Sequence, residues 1–135
     1  MEVFRIAALV AGIALVLWTL LSAVRAVILP RGDVVALSRF VFVVLRWVFL
    51  RIARPAHSYE ARDRAMALYS PIGLLLLAAS WTTLVIIGFT GIFWGLGVDP
   101  LRLAFTQSGS SLLTLGFVEP SDLPTTIAAL IEAAI

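Results

Sequence analysis

The chain has 135 residues, of which 61% are apolar and 13% are charged, and its formal net charge is +2. Ordinary globular domains contain about 45–50% apolar and about 25% charged residues, and a chain this short buries only a modest fraction of its surface in a core of its own. The composition therefore predicts an integral membrane protein in which lipid covers the remaining apolar surface, and the segments described below predict that its fold is all-α. The lack of cysteine excludes disulfides and thiolate metal sites, and the small net charge gives no reason to expect a nucleic-acid partner.

The first long apolar run, from Ile6 to Val24, carries no charge and is bracketed by Arg5 and Arg25. As a helix it is about 28 Å long, close to the roughly 30 Å of hydrocarbon in a bilayer. A signal peptide is the alternative, but the run is longer than the usual ~7–15-residue apolar core, and no cleavage site is followed by a polar mature chain. We therefore predict an N-terminal transmembrane helix within residues 1–27.

Residues 28–70 form an arginine-rich segment, which Pro30 and Gly32 separate from the first helix. Within this segment, residues 34–53 are apolar but contain three arginines, Arg39, Arg46 and Arg51. The stretch either lies in the membrane interface with its arginines near anionic headgroups, or spans the bilayer at a cost of about 2.5–3.5 kcal/mol for each central arginine. Because that cost is repeated, the interfacial alternative is favoured.

Residues 71–97 contain the second long apolar run, and we predict that they form the outer transmembrane helix of a pore unit. By the positive-inside rule, the arginine-rich region before this run faces the cytoplasm, so the run leads outward. Ser70 is predicted to cap the helix and Pro71 to occupy its first turn. Gly91 and Gly95 have the spacing that lets two helices approach closely, although the spacing does not identify the partner.

A shorter helix is predicted next, within residues 98–121. Asp99 is a favourable N-cap residue and Pro100 suits the first helical position. A helix from there to about Leu113 is about 19 Å long, too short to cross a bilayer. The polar, glycine-containing loop behind it is tolerated at membrane depth only where protein buries it or where it lines a water-filled path. We therefore predict a re-entrant pore helix and filter loop, with the negative end of the helix favouring a cation.

The loop contains the sequence Thr114-Leu115-Gly116-Phe117, followed by one apolar residue and an acid. This order resembles the pore loop of the potassium-channel superfamily, whose selectivity filter runs Thr-Val-Gly-Tyr-Gly followed by an acid. The resemblance implies that the backbone carbonyls of these four residues, together with the Thr114 hydroxyl, coordinate a permeating monovalent cation, with potassium the expected ion. It implies no resident cofactor.

Three further positions bear on the support of this filter. The resemblance matches Ser111 with the pore-helix threonine that lies three residues before the filter. Val118 stands where the family has its second glycine, and Glu119 replaces the usual aspartate. Because a β-branched residue disfavours a positive φ, we expect a distorted outer ion site. That distortion affects the discrimination of potassium from sodium more than cation conduction itself.

Residues 122–135 begin another apolar helix, with Pro124 in its first turn. If the resemblance holds, this segment is the start of the pore-lining inner helix. The stretch from Thr125 to Ile135 is too short to span a bilayer. We therefore expect the inner helix to be incomplete in this sequence, as in a piece of a longer protein.

Together these features predict a pore-forming subunit of a cation channel, a multi-pass protein of the cell membrane. A complete filter needs four pore loops. We therefore expect the chain to assemble with its own copies, as a homotetramer or as a dimer if each chain carries a second pore repeat. The lipid membrane is the other expected partner. The alternative is a non-conducting membrane scaffold or accessory subunit that binds anionic lipid or partner helices. An enzyme is not predicted, because the carboxylates are scattered, the single histidine stands alone, and no phosphate-loop or metal-ligand spacing occurs.

Overall fold

The structure, a computed structural model, describes residues 2–28, 36–53 and 59–135. These residues form helices and no strand, which confirms the all-α prediction. The helices are α1 (Glu2–Ile28), α2 (Ala36–Ala53), α3 (Tyr59–Gly95), α4 (Leu101–Leu112) and α5 (Leu123–Ala133). The predicted break at Pro30 and Gly32 lies outside the described residues.

The chain divides into two compact units. The first unit consists of Met1–Leu21 and Thr82–Ile135, and the second consists of Ser22–Trp81. Helices α1 and α3 contribute to both units, whereas α2 belongs to the second unit and both α4 and α5 belong to the first. The predicted filter loop therefore lies entirely within the first unit.

Helices α1 and α3 each contain a segment that is long and apolar enough to cross a membrane. These segments are Glu2–Ala26, with 25 residues, and Ala67–Gly95, with 29 residues. They include the two long apolar runs of the sequence. Only 22% and 28% of their most apolar windows are buried within the chain, so most of this apolar surface is left for something else to cover.

Helix α2 is not among the described segments with the length and composition of a membrane span. Its arginines Arg39, Arg46 and Arg51 are all exposed. The Arg51 guanidinium lies 4.4 Å from the centre of the Trp47 ring, a cation–π arrangement on the exposed side of the helix. The interfacial placement of α2 stays a prediction.

The prediction that a helix starts at Ser70 and Pro71 is wrong, because α3 continues through Pro71. Proline lacks the N–H that would bond to the carbonyl four residues earlier, and this ordinarily interrupts a helix. Contacts with α2 on both sides of the proline support the helix here. The Tyr69 hydroxyl donates to the Phe42 carbonyl at 3.2 Å, and Gly73 packs directly against the Phe42 ring.

Glycines bring α1 and the end of α3 together in the first unit. A Cβ atom at Gly91 would lie 2.9 Å from the Ala8 carbonyl oxygen, and one at Gly95 would lie 2.9 Å from the Arg5 carbonyl oxygen. A side chain at either position would clash with the backbone of α1. The two backbones therefore approach closely only because both positions are glycine. The predicted helix packing at Gly91 and Gly95 is confirmed, and α1 is the partner.

A buried apolar core in the first unit joins α1, α3, α4 and α5. Its members are Val16, Val85, Phe89, Phe93, Val98, Ala104 and Ala128. Because Ala104 comes from α4 and Ala128 from α5, this core fixes the two helices on either side of the predicted filter loop.

The prediction that Asp99 caps α4 is wrong. Helix α4 begins at Leu101 with Pro100 in the N-cap position, and no side chain caps it. The Asp99 carboxylate instead accepts hydrogen bonds from the Arg5 guanidinium and from the Trp94 indole N–H. The two carboxylate oxygens are thus bonded by the side chains of Arg5 and Trp94, and neither bonds to the backbone of α4.

Candidate functional site

The candidate site is the loop that joins α4 to α5. Helix α4 has 12 residues, which makes it about 18 Å long and confirms the predicted half-length helix. Helix α5 begins at Leu123, as predicted, and its N-cap Asp122 donates its backbone N–H to Thr125 Oγ1 at 3.2 Å. The two helices pack against each other, so the loop connects neighbouring elements.

The backbone of the loop is left-handed at two alternate residues. The φ angle is +53° at Thr114 and +68° at Gly116, whereas Val118 lies outside the left-handed region. Thr114 is the only described residue other than glycine with a positive φ, a conformation that costs about 1–2 kcal/mol for a residue with a side chain. Because threonine is also β-branched, its neighbours must hold it in this conformation.

Most of the predicted filter side chains are exposed in the single chain. Thr114, Leu115, Gly116, Phe117 and Glu119 are exposed, while Ser111 and Val118 are half-buried. The two large apolar side chains, Leu115 and Phe117, are 50% and 75% exposed. The Thr114 hydroxyl donates to the Leu113 carbonyl at 2.8 Å. Residues 114–119 thus form one continuous surface loop in which Leu115 and Phe117 are uncovered, whereas Ser111 lies in the last turn of α4.

Ser110 holds this loop to the end of α4. Its side chain is 3% exposed, and its Oγ accepts a hydrogen bond from the Phe117 N–H at 2.8 Å. Its carbonyl accepts one from the Leu115 N–H at 2.9 Å. The resemblance points to Ser111 for the supporting role. The Ser111 hydroxyl bonds to no described residue, although its carbonyl accepts the Thr114 N–H at 3.2 Å.

We predict that Ser110→Ala loosens the loop without unfolding the chain. The variant removes the acceptor of the Phe117 N–H, and a hydrogen bond of this kind contributes about 1 kcal/mol. Exchange of the Phe117 amide hydrogen should therefore become about five- to tenfold faster. Amide hydrogen exchange resolved at single residues measures this directly. Ser111→Ala is the matched control and should leave the Phe117 amide protected. Equal exchange rates in the wild type and in Ser110→Ala would show that Ser110 does not hold the loop.

An open groove of about 410 Å³ lies between the loop and α5. Ser110, Ser111 and Thr114 are among the residues that line it on the side of the loop. The other side is formed by one face of α5, with Thr126, Ala129, Leu130 and Ala133. A neighbouring face of α5 is buried in the first unit through Thr125, Ala128 and Glu132. Helix α5 therefore presents one face to the groove and a second face to the protein interior.

Three buried polar residues near the loop had no role in the sequence analysis. They are Gln107, Ser108 and Glu132, which are 2%, 0% and 0% exposed. The signal in the sequence was a lone acid in an apolar stretch, since Glu132 is the only charged residue of α5. Nothing local in the sequence indicates which helix that acid faces.

No protein-family model, no curated protein and no solved structure matches this chain. The resemblance to potassium-channel pore loops, which covers about Asp99 to Asp122, therefore stays a prediction. The case for a function rests on the loop and on the helices that hold it.

Proposed function

We propose that the chain is a pore-forming subunit of a cation channel, with the loop from Thr114 to Val118 lining the ion path. The observation that carries the proposal is the left-handed backbone at Thr114 and Gly116, directly after the half-length helix α4. In an extended strand, successive carbonyls point to opposite sides. Left-handed residues at alternate positions allow neighbouring carbonyls to point to the same side, and glycine adopts that conformation at little cost.

Conduction through such a loop needs no chemical step. A cation exchanges its hydration water for backbone carbonyl oxygens and the Thr114 hydroxyl, and occupancy of several sites keeps exit fast. The carboxyl end of α4 directs partial negative charge toward the loop, which favours a cation there. One loop supplies a quarter of a filter, so four identical chains assemble, or two chains if each carries a second pore repeat.

Potassium is the expected ion, with weak discrimination against sodium. The alternation of left-handed residues stops at Gly116, because Val118 does not adopt a positive φ. The outer part of the path therefore lacks the alternate left-handed residues that the loop has at Thr114 and Gly116. The loss of this alternation lowers the selectivity for potassium over sodium more than the selectivity for cations over anions.

We place this channel in the cell membrane as a multi-pass protein, with α1 and α3 crossing the bilayer. The length and apolar composition of Glu2–Ala26 and Ala67–Gly95 support that placement. Helix α2 then lies along the cytoplasmic interface, where its exposed arginines reach anionic headgroups.

The test is ion flux into liposomes that contain the full-length protein, measured separately for potassium, sodium and chloride. We expect potassium and sodium to enter well above the rate of empty liposomes, potassium somewhat faster, and chloride at the background rate. Background rates for both cations, from an oligomer whose assembly has been verified, would overturn the proposal.

A non-conducting accessory subunit that binds anionic lipid is the second candidate. The observation that favours it is the exposed side of α2, where Arg39, Arg46 and Arg51 accompany Trp47. Arginine and tryptophan are both suited to the lipid headgroup region. This candidate predicts that the protein binds vesicles containing anionic lipid and yet conducts no ion, so the flux measurement separates the two functions.

A further inference from the structure

A buried polar junction joins three helices beside the candidate filter loop. Glu132 of α5 and Ser108 of α4 are both 0% exposed, and Ser108 Oγ lies 2.5 Å from Glu132 Oε1. The same hydroxyl lies 3.1 Å from the Ile86 carbonyl oxygen of α3. All three residues belong to the first unit. A single serine hydroxyl thus contacts a carboxyl group on one neighbouring helix and a backbone carbonyl on another.

The junction is costly to bury and has no counter-charge. Among the described residues, the one ion pair is that of Arg5 with Asp99, and Glu132 Oε2 bonds to no described residue. A buried carboxyl group without a cation is disfavoured unless hydrogen bonds hold it. An apolar residue at this position would pack in the same core without that cost. Stability alone therefore does not explain why this residue is a glutamate. The position of its hydrogen bond with Ser108 does explain it.

The bond lies close to the loop along α4. Ser108 is two residues before Ser110, whose side chain and carbonyl hold the amides of Phe117 and Leu115. A shift of α4 relative to α5 at Ser108 would move Ser110 and, with it, both loop amides. Helices packed only through apolar side chains slide more easily than helices joined by a directional hydrogen bond.

We propose that Glu132 is a positioning residue, which holds α4 in register with α5 through Ser108 and so fixes the conformation of the filter loop. The proposal deepens the channel function and rests on it for its effect on conduction. The structural part stands on its own, because it concerns the loop amides and not the ion.

The test compares Glu132→Leu with Glu132→Gln in the full-length protein, using amide hydrogen exchange resolved at single residues. Leucine has a similar size and no hydrogen-bonding group, whereas glutamine can both donate to and accept from Ser108. We expect Glu132→Leu to speed exchange of the Leu115 and Phe117 amides by about tenfold, equivalent to about 1.4 kcal/mol, with the amides of α1 unchanged. Glutamine should restore the wild-type rates. Ile131→Leu, on the exposed side of the same helix, is the matched control.

Ser108→Ala completes the design. If Glu132 acts through Ser108, the double variant Ser108→Ala with Glu132→Leu should exchange no faster at the loop than either single variant, because both remove the same bond. Cation flux into liposomes should fall in the variants whose loop amides exchange faster, and in no others.

Three results would overturn the proposal: unchanged loop amides in Glu132→Leu, equal acceleration throughout the chain, or a glutamine variant as damaging as the leucine variant. Background flux in the wild type would refute the channel function instead. In that case the exchange rates would still decide whether Glu132 positions the loop.

Discussion

Gly116→Ala should reduce cation flux to the level of empty liposomes while leaving the fold intact. The φ angle of +68° at Gly116 is one that an alanine adopts only at a cost of about 1–2 kcal/mol. A Cβ atom built at this glycine meets nothing within 4 Å, so the substitution causes no clash. The strain is purely conformational. The loop relieves it by leaving the left-handed region, and its carbonyls then turn away from the ion path.

Gly109→Ala is the matched control for this prediction. A Cβ atom at Gly109 also meets nothing within 4 Å, but the residue lies inside α4 and its φ is not positive. Alanine favours a helix over glycine by about 1 kcal/mol, so this variant should keep its flux and melt at an equal or higher temperature. Wild-type flux in Gly116→Ala, measured beside Gly109→Ala in the same liposomes, would show that the left-handed backbone at Gly116 is not needed for conduction.

Gly12→Ala should destabilise the first unit by about 1–3 kcal/mol, because an added methyl group overpacks the contact between α1 and α3. The new Cβ atom would overlap the Gly88 carbonyl oxygen and would lie 3.1 Å from the Ile92 backbone nitrogen. Both are backbone atoms, so no side chain can rotate away and the helices themselves must separate. Thermal unfolding in detergent micelles measures the loss.

The size of the effect should follow what each added methyl group meets. At Gly88 the nearest atom, at 2.6 Å, is a methyl group of the Val16 side chain, which can turn aside in part. The melting temperature should therefore fall most for Gly12→Ala, less for Gly88→Ala and not at all for Gly109→Ala. Identical melting temperatures for Gly12→Ala and Gly109→Ala would show that α1 and α3 do not pack through these glycines.

The sequence was sufficient where the deciding interactions are local. The start of α5 follows from Asp122 and Pro124, which act within the first turn of their own helix. The short length of α4 and the four-residue spacing of Gly91 and Gly95 can likewise be recognised from a few neighbouring residues. The spacing of the two glycines could not name α1 as the partner, because the contacting residues lie more than eighty positions earlier in the chain.

Distant contacts explain the predictions that failed. Asp99 has the local features of a helix cap, yet Arg5 and Trp94 take its carboxylate. Pro71 has the local features of a helix start, yet α3 passes through it beside the contacts that Tyr69 makes with α2. In both cases contacts with other helices outweigh a local conformational preference of about 1–3 kcal/mol, namely helix capping at Asp99 and helix interruption at Pro71.

The candidate site was predictable in its residues but not in its support. The filter-like residues are consecutive, so their grouping required no knowledge of the fold. The left-handed conformation of Thr114 was not predictable, since threonine disfavours it and only the bonds around it keep it there. The roles of Ser108, Ser110 and Glu132 depend on which helix faces which, and a single sequence does not contain that information.

The most direct measurement of the central claim is the reversal potential of single-channel currents from the full-length protein in planar bilayers. With potassium chloride at different concentrations on the two sides, we predict stepwise currents that reverse near the potassium equilibrium potential, because only cations pass the loop. With sodium on one side and potassium on the other, a small shift in favour of potassium should remain. Currents that reverse near the chloride potential, or no stepwise current from a verified oligomer, would contradict a cation path lined by Thr114 to Val118.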